Sequence, residues 1–357
     1  MNITEATRGY EQWVRGEVGL VEADLKRKHA RMVDGAFPFL RATYYRWAQI
    51  WEEAAGDLAR TPKVLSVGDL HIENFGTWRD AEGRLVWGVN DFDEAAVLPV
   101  ASDLLRLSVS AVLAVGEHEL RISRARIAQS ILSGYEDGVA SGGSPFVLEE
   151  RHPALRGIAR NRLKDAERFW RKLRELPVYK GRQPKPAGRL LAQLLPRDIE
   201  SVRIVHRIAG LGSLGRQRFT AIGELAGGYV AREVKPLTPA GSFWATGRGP
   251  RRILYSTIVD RAVRCRDPFL SQRGSWVGRR LSPSNSRIEL AELPPDADVA
   301  MVLHSMGFET ANVHLGHERV EVLTKAAGSI KESDFGAKVR TLERVVMGDW
   351  KDWCRRS

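Results

Sequence analysis

Three oxygen-bearing side chains in this chain have the types and spacing to hold a hard cation beside a reacting hydroxyl. Asp69 and Asn74 stand five residues apart in Gly68-Asp69-Leu70-His71-Ile72-Glu73-Asn74, and Asp91 opens the short acidic run Asp91-Phe92-Asp93. At a strand end, an Asp and an Asn so spaced can face one cavity, the Asp toward a substrate hydroxyl and the Asn toward a metal. Asp91 would add a third oxygen, and such hard ligands suit Mg²⁺ better than Zn²⁺. All three are also good turn formers, whose side chains cap their own backbone. A second group follows far along the chain. Gly210-Leu211-Gly212-Ser213-Leu214-Gly215 is a glycine-rich turn whose N–H groups can approach phosphates without Cβ interference. Beyond it, Val230-Ala231-Arg232-Glu233-Val234-Lys235 ends in a lysine able to reach those phosphates.

The elements that must position these groups can be read from pattern. The first sixty residues are helical in character. Val64-Leu65-Ser66-Val67 reads as a short buried strand, and two strand-like runs flank the turn Arg79-Asp80-Ala81-Glu82-Gly83, a hairpin with Gly83 at positive φ. That hairpin carries the chain from Asn74 back to Asp91. A helix resumes near Val100, with Asp103 in its first turn. A dinucleotide fold needs a helix straight after its glycines. Here three strand candidates, Ser201–Gly210, Arg216–Leu225 and Tyr229–Leu237, bracket the glycine turn instead, which is the kinase arrangement. The kinase lysine pairs with a carboxylate on a following element, and Asp260, Glu289 and Glu292 are the candidates.

Composition narrows the class. The chain has 357 residues, 43% of them apolar, enough for a large core in about two domains or lobes. Its two cysteines, Cys265 and Cys354, match no zinc or disulfide framework. His71-x-Glu73 opens a zinc-deaminase signature but lacks the Pro-Cys-x-x-Cys that must follow. His314 and His317 have no evident third ligand, and no serine-hydrolase elbow is present. No apolar run is long enough for a membrane span. No basic-then-apolar leader opens the chain, so a cytoplasmic protein without membrane partners is expected.

The net charge of +11 is regional. Twelve Lys and Arg face three acids between Arg151 and Lys185, in one or two amphipathic helices with a basic outer face. Ten Arg face two acids between Arg248 and Arg287. Such blocks admit a basic nucleic-acid-binding protein as one reading. Without nucleic-acid motifs or many interleaved Tyr and Phe, an anionic substrate or phosphate cleft explains them equally well.

Taken together, GDLHIENFG, NDFDEA, SDLLRL, GLGSLG and VKPL resemble the bacterial DUF2252 family, as does the early KHARMVDGAFPFLRATYY. The resemblance runs from about Lys28 to about His317. GDLHIEN is in turn similar to the catalytic loop of aminoglycoside and choline kinases, and NDFDEA to their metal-binding turn. The resemblance implies Asp69 as catalytic base, Asn74 and Asp91 as Mg²⁺ ligands, and Lys235 as the phosphate-binding lysine. Gly210, Gly212, Ser213 and Gly215 would form the loop over the nucleotide. Val67 stands where those kinases have His, and the motif order is reversed, with the catalytic loop before the glycine loop. A circular permutation would reunite the parts, since the termini of compact domains often lie close together.

The expected fold is therefore α+β: a protein-kinase-like two-lobe fold, circularly permuted. A helical catalytic-loop lobe would span 1–198 and a small antiparallel-sheet nucleotide lobe 199–295, with C-terminal helices over 296–357 packing back on the large lobe. The expected function is an ATP- and Mg²⁺-dependent phosphotransferase acting on a hydroxyl acceptor, with an anionic acceptor one expectation. The alternatives are a nucleotide-binding pseudokinase or nucleotidyl transferase, and the nucleic-acid-binding protein.

Overall fold

A computed structural model describes residues 1–118, 121–161, 163, 165–287, 293 and 298–356. It is a mixed α+β protein rich in helix, with small antiparallel sheets. The chain begins with α1 (Ile3–Glu17), α2 (Glu22–Arg31), α3 (Ala36–Ala42) and α4 (Tyr44–Ala55). Asn2 starts α1 through a capping box with Glu5, each side chain accepting from the other's backbone N–H.

Two ladders then converge on one point. β1 (Lys63–Ser66) runs antiparallel to β4 (Ala96–Pro99), with Ser66 opposite Ala96. This sets the segment leaving β1 beside the turn that enters β4. β2 (Phe75–Arg79) and β3 (Leu85–Val89) form the expected hairpin, with Phe75 opposite Val89 and Gly83 at φ +75°. The residues before β2 and after β3 are therefore neighbours, and Asn90 N–H donates to Asn74 O at 2.9 Å. Residues 67–74 and 90–95 thus meet because antiparallel pairing leaves them no alternative.

α5 (Val100–Glu117) is buried over nearly its whole length, and each fully buried Leu in it contributes about 1.5–3 kcal/mol. α6 (Arg124–Ala140) leads to β5 (Phe146–Val147), which joins β3, and then to α7 (Pro153–Asn161), α8 (Ala166–Arg174) and α9 (Lys185–Leu194). The first basic block is thus two helices. α8 buries Leu173 and packs Phe169 and Trp170 on the sheet that follows, while Arg168, Arg171 and Lys172 face solvent.

That sheet has five antiparallel strands in the order β6-β7-β8-β10-β9. β6 (Glu200–His206), β7 (Phe219–Leu225) and β8 (Gly228–Pro236) are the three expected strands. Ala226 and Gly227, both at positive φ, make the tight turn between the last two. α10 (Gly241–Thr246) and α11 (Tyr255–Arg261) precede β9 (Ser271–Arg273) and β10 (Trp276–Leu281). α9 covers the outer face of the sheet through Leu190 and Leu191 against Phe219, Val234 and Trp276. Within Arg251–Arg264 only Tyr255–Arg261 is helix.

α12 (Val299–Leu315), α13 (Val320–Ser329) and α14 (Glu332–Cys354) close the chain. α12 lies along α6, and α14 against α4, α5 and α6. The α6–α12 contact needs two glycines. A Cβ on Gly134 would meet His304 O at 1.9 Å, and one on Gly307 would meet Ile131 O at 2.1 Å. Among the described residues no helix is long and apolar enough to cross a membrane.

Candidate functional site

The segment leaving β1 is held from below. Asp103, fully buried at the start of α5, accepts from Val67 N–H at 2.7 Å and from Gly68 N–H at 2.9 Å. Its Oδ2 also lies 3.2 Å from His314 Nε2, and His314 Nδ1 lies 3.0 Å from the Tyr135 hydroxyl. His314 is therefore part of the core, not a metal ligand. Gly68 turns at φ +82°, where a Cβ would stand 2.3 Å from Glu94 O. Only glycine fits that approach.

The turn delivers Asp69 to a small cavity of about 40 Å³ that Asn74, Asp91, Gly210, Gly212 and Ser213 also line. Arg106, one turn beyond Asp103 on α5 and fully buried, donates Nε to Asp69 Oδ1 at 2.8 Å and Nη2 to the same oxygen. One carboxylate oxygen is thus fixed. The other faces the glycine turn: a Cβ on Gly212 would lie 3.5 Å from Asp69 Oδ2. Burial pushes the Asp69 carboxyl up to about 6, with Arg106 opposing and the Asp91 charge assisting. His71, on the same cavity, is driven well below its usual range by burial and by Arg41, Arg106 and Arg287. It is neutral at pH 7.

Asn74 closes a single 3-10 turn, Ile72–Asn74. Its Nδ2 donates to Asp69 O, and its Oδ1 accepts no hydrogen bond from the described residues. Asp91 Oδ1 accepts from Asp93 N–H at 3.3 Å and lies 3.5 Å from Lys235 Nζ. Burial works against its ionisation, but Lys235, the contact with Asp93, Arg279 and Arg287 hold the carboxylate well below its ordinary range. Asp93 is pushed the other way by burial and by the Asp91 charge.

Lys235, near the end of β8, crosses to this turn and puts Nζ 2.7 Å from Asp93 Oδ2. Of the expected carboxylates, only Asp260 lies among the described residues, and it is not the partner. Asp260 is exposed and pairs with Arg266 at 3.4 Å, while Glu289 and Glu292 lie outside the described residues. The partner comes from the acidic turn itself, 142 residues earlier. Lys235 also lines a second cavity, of about 480 Å³, which shares Asp91, Gly210 and Arg287 with the first.

In the glycine turn, the N–H groups of Gly210, Leu211, Gly212 and Ser213 donate to no other described residue. Ser213 Oγ instead accepts from Arg218 at 3.0 Å. Gly215 lines neither cavity. Its carbonyl accepts from Val21 N–H at 2.7 Å, and a Cβ there would meet Leu25 at 2.5 Å, so its place in the turn is structural.

The site also contains groups that spacing did not point to. Glu94 is pushed up to about 7 by burial, with Arg216 opposing. Glu233, completely buried two residues before Lys235, takes Arg207, Arg218 and Arg279 on one carboxylate. Asp103 and Arg106 had a readable signal, since a charged pair three residues apart inside an otherwise apolar helix demands buried partners.

Among the described residues no three Asp, Glu, His or Cys side chains are grouped as a metal cage. Mg²⁺ is characteristically held by one or two carboxylates together with phosphate oxygens and water. The open Oδ1 of Asn74 and the ionised Asp91 fit that manner of binding.

Residues 20–175 match the DUF2252 family, described as an uncharacterized protein conserved in bacteria. The matched span carries Asp69, Asn74 and Asp91, with Asp103 and Arg106 behind them. It stops before the glycine turn and Lys235. No curated protein and no solved structure matches the chain.

Proposed function

We propose that this chain is an ATP- and Mg²⁺-dependent phosphotransferase with a circularly permuted kinase-like fold, acting on a hydroxyl acceptor. One observation carries the reading. Asp69, Asn74 and Asp91 from one end of the chain meet Gly210, Gly212 and Lys235 from another around two adjoining cavities, with Lys235 Nζ 3.5 Å from Asp91 Oδ1. Residues that only turn the chain would have no reason to meet across 144 positions.

Asp69 acts as the base. Arg106 fixes Oδ1, and the free Oδ2 accepts the acceptor's hydroxyl proton. A carboxyl raised to about 6 ionises at neutral pH yet remains a stronger base than an exposed one. Lys235 keeps one of its three donors for a phosphate oxygen, and the unused N–H groups of the glycine turn take others. Asn74 and Asp91 hold Mg²⁺, which would neutralise the charge of the transferring phosphoryl group. The small volume above Asp69 leaves little room for competing water.

Thermal stabilisation by ATP with Mg²⁺ tests the reading. The wild type gains stability, whereas Asp91→Ala and Lys235→Ala lose most of the gain. Asp69→Asn keeps the gain but turns ATP over about 10²–10⁴-fold more slowly with an acceptor pool. No shift in the wild type would remove the nucleotide altogether. A shift without turnover would favour a non-catalytic nucleotide-binding protein.

A further inference from the structure

We propose that the larger cavity contains a second anion subsite, centred on Arg264 and Arg280, which holds a phosphate group carried by the acceptor. The assignment to an acceptor rests on the phosphotransferase reading; the anion subsite itself does not.

Charge comes first. Among the described residues seven basic side chains line this cavity against two carboxylates, Asp91 and Asp267. Glu233 and Asp93 stand behind the wall and remove two more positive charges, leaving an excess of three. Lys235 and Gly210 suffice for a nucleotide's phosphates at the end that touches Asp91. The excess remains on the rest of the wall.

Arg264 identifies where a ligand belongs. Its guanidinium lies 4.6 Å from the Trp78 ring centre and 5.0 Å from that of Phe92, so the plane of the fork is fixed. Its Nε and Nη1 are sealed from solvent and bond to none of the described residues, and no carboxylate among them pairs with it. Arg280 repeats the pattern. Its Nε is also sealed without a partner among the described residues, its Nη2 donates to Arg79 O at 2.9 Å, Phe269 lies beneath it at 4.6 Å, and its carboxylate neighbour Asp267 is 3.9 Å away. Buried donors are almost always satisfied, and burying a cation without a partner is costly. Both guanidiniums line the cavity, stacked on rings and with N–H groups left unpartnered, and a planar fork so held suits the bidentate geometry of a phosphate, which the point charge of a lysine does not match. The volume is within the range of small-molecule sites.

Calorimetric titration with inorganic pyrophosphate as probe, with and without ATP and Mg²⁺, tests this. The wild type binds pyrophosphate in both conditions. Arg264→Gln and Arg280→Gln each weaken that binding at least tenfold and leave ATP affinity within about twofold, while Lys235→Ala does the reverse. Arg264→Lys, which keeps the charge and loses the fork, also weakens pyrophosphate binding. Melting temperatures near that of the wild type confirm that the variants fold. A pool of hydroxyl-bearing phosphate monoesters then stimulates ATP consumption, and Arg264→Gln removes the stimulation. Absence of pyrophosphate binding in the wild type overturns the proposal. So does displacement of pyrophosphate by ATP with equal loss in Lys235→Ala, since the arginines would then serve the nucleotide. Stimulation that survives Arg264→Gln would mean that the phosphate is not read here. Pyrophosphate binding through Arg264 with no ATP binding would leave the subsite standing and remove the phosphotransferase reading.

Discussion

The molecule keeps two stores of arginine, and they are built in opposite ways. On α8, Arg168, Arg171 and Lys172 point into solvent while Phe169, Trp170 and Leu173 cover the sheet. Their charges are solvent-exposed and cost little to maintain; the Arg171–Glu167 pair at 3.7 Å is a loose surface contact. In the cleft, Arg218 is buried on Glu233, which also takes the half-buried Arg207 and Arg279, and Arg264 and Arg280 hold sealed N–H groups with no partner among the described residues. Burying a guanidinium costs several kcal/mol unless its partners are excellent. Basic residues alike in sequence therefore conceal a free feature and an expensive one. The expensive one sits against Lys235 and Asp91.

The largest effect tests how the cleft store is stabilised. Glu233 is one carboxylate beneath three guanidiniums, and these hold it well below the usual carboxylate range although burial alone would raise it. Glu233→Gln leaves the buried Arg218 and the half-buried Arg207 and Arg279 facing one another and is expected to cost about 3–5 kcal/mol in urea unfolding. A loss under about 1 kcal/mol would mean that the arginines do not depend on this carboxylate, and the contrast with α8 would weaken.

A titration comes next. Glu309 on α12 accepts from Val89 N–H at 3.1 Å and from Asn312 at 2.8 Å, and burial pushes its carboxyl up to about 7, with Arg264 opposing. The folded value lies above the unfolded one, so the neutral form is the one the fold favours. Its contribution is complete below about pH 4.5 and is lost as pH rises through 7. Between those limits the wild type should lose on the order of 3 kcal/mol relative to Glu309→Gln, read as the gap between their urea midpoints at pH 5 and pH 8. A constant gap would show that Arg264 already holds Glu309 ionised, and Arg264 would then not be an unpartnered cation.

Much of this arrangement was legible in the sequence. The Gly83 hairpin, the three strands around the glycine turn, and the helix restarting near Val100 follow from local pattern. Asp69, Asn74 and Asp91 lie on one cavity because the β1–β4 and β2–β3 pairings lead there, and both hairpin arms were readable from alternation and turn residues. The partners were not legible. Lys235 reaches Asp93, not Asp260, because the contact depends on how the five-stranded sheet sits against the acidic turn, which no local spacing encodes. Arg106 beneath Asp69, and three arginines on Glu233, are likewise contacts between distant segments. β10 was missed for a different reason. Trp276–Leu281 is short and interrupted by Gly278, whose bare Cα lets Leu194 of α9 approach: a Cβ there would come within 2.3 Å of Leu194 Cδ1. Propensity reads such a glycine as a strand breaker, while packing requires it.

Arg264 offers a smaller and more pointed test. Its sealed N–H groups cost stability, and its stacking on Trp78 and Phe92 returns part of that. Arg264→Met keeps the length and the apolar contact, and is expected to raise stability by about 1 kcal/mol. Gain of stability on removing a charge is the mark of a residue kept for binding. A loss of similar size would instead make Arg264 a structural cation and bring the two arginine stores closer together.

The smallest effect is expected on α8. The triple substitution Arg168→Gln, Arg171→Gln and Lys172→Gln leaves the apolar face on the sheet intact, because Phe169, Trp170 and Leu173 are untouched. The melting temperature should stay within measuring error, as should the stabilisation by ATP with Mg²⁺. The result matters because Phe169 and Leu173 of the same helix line the large cavity. If the outer charges draw anions toward that cavity, the ATP response of the triple variant will fall at low salt and recover near 0.15 M, where the Debye length is about 8 Å. A fall at both salt concentrations would mean that the outer face touches the ligand, and the division between a free and an expensive store of arginine would no longer hold.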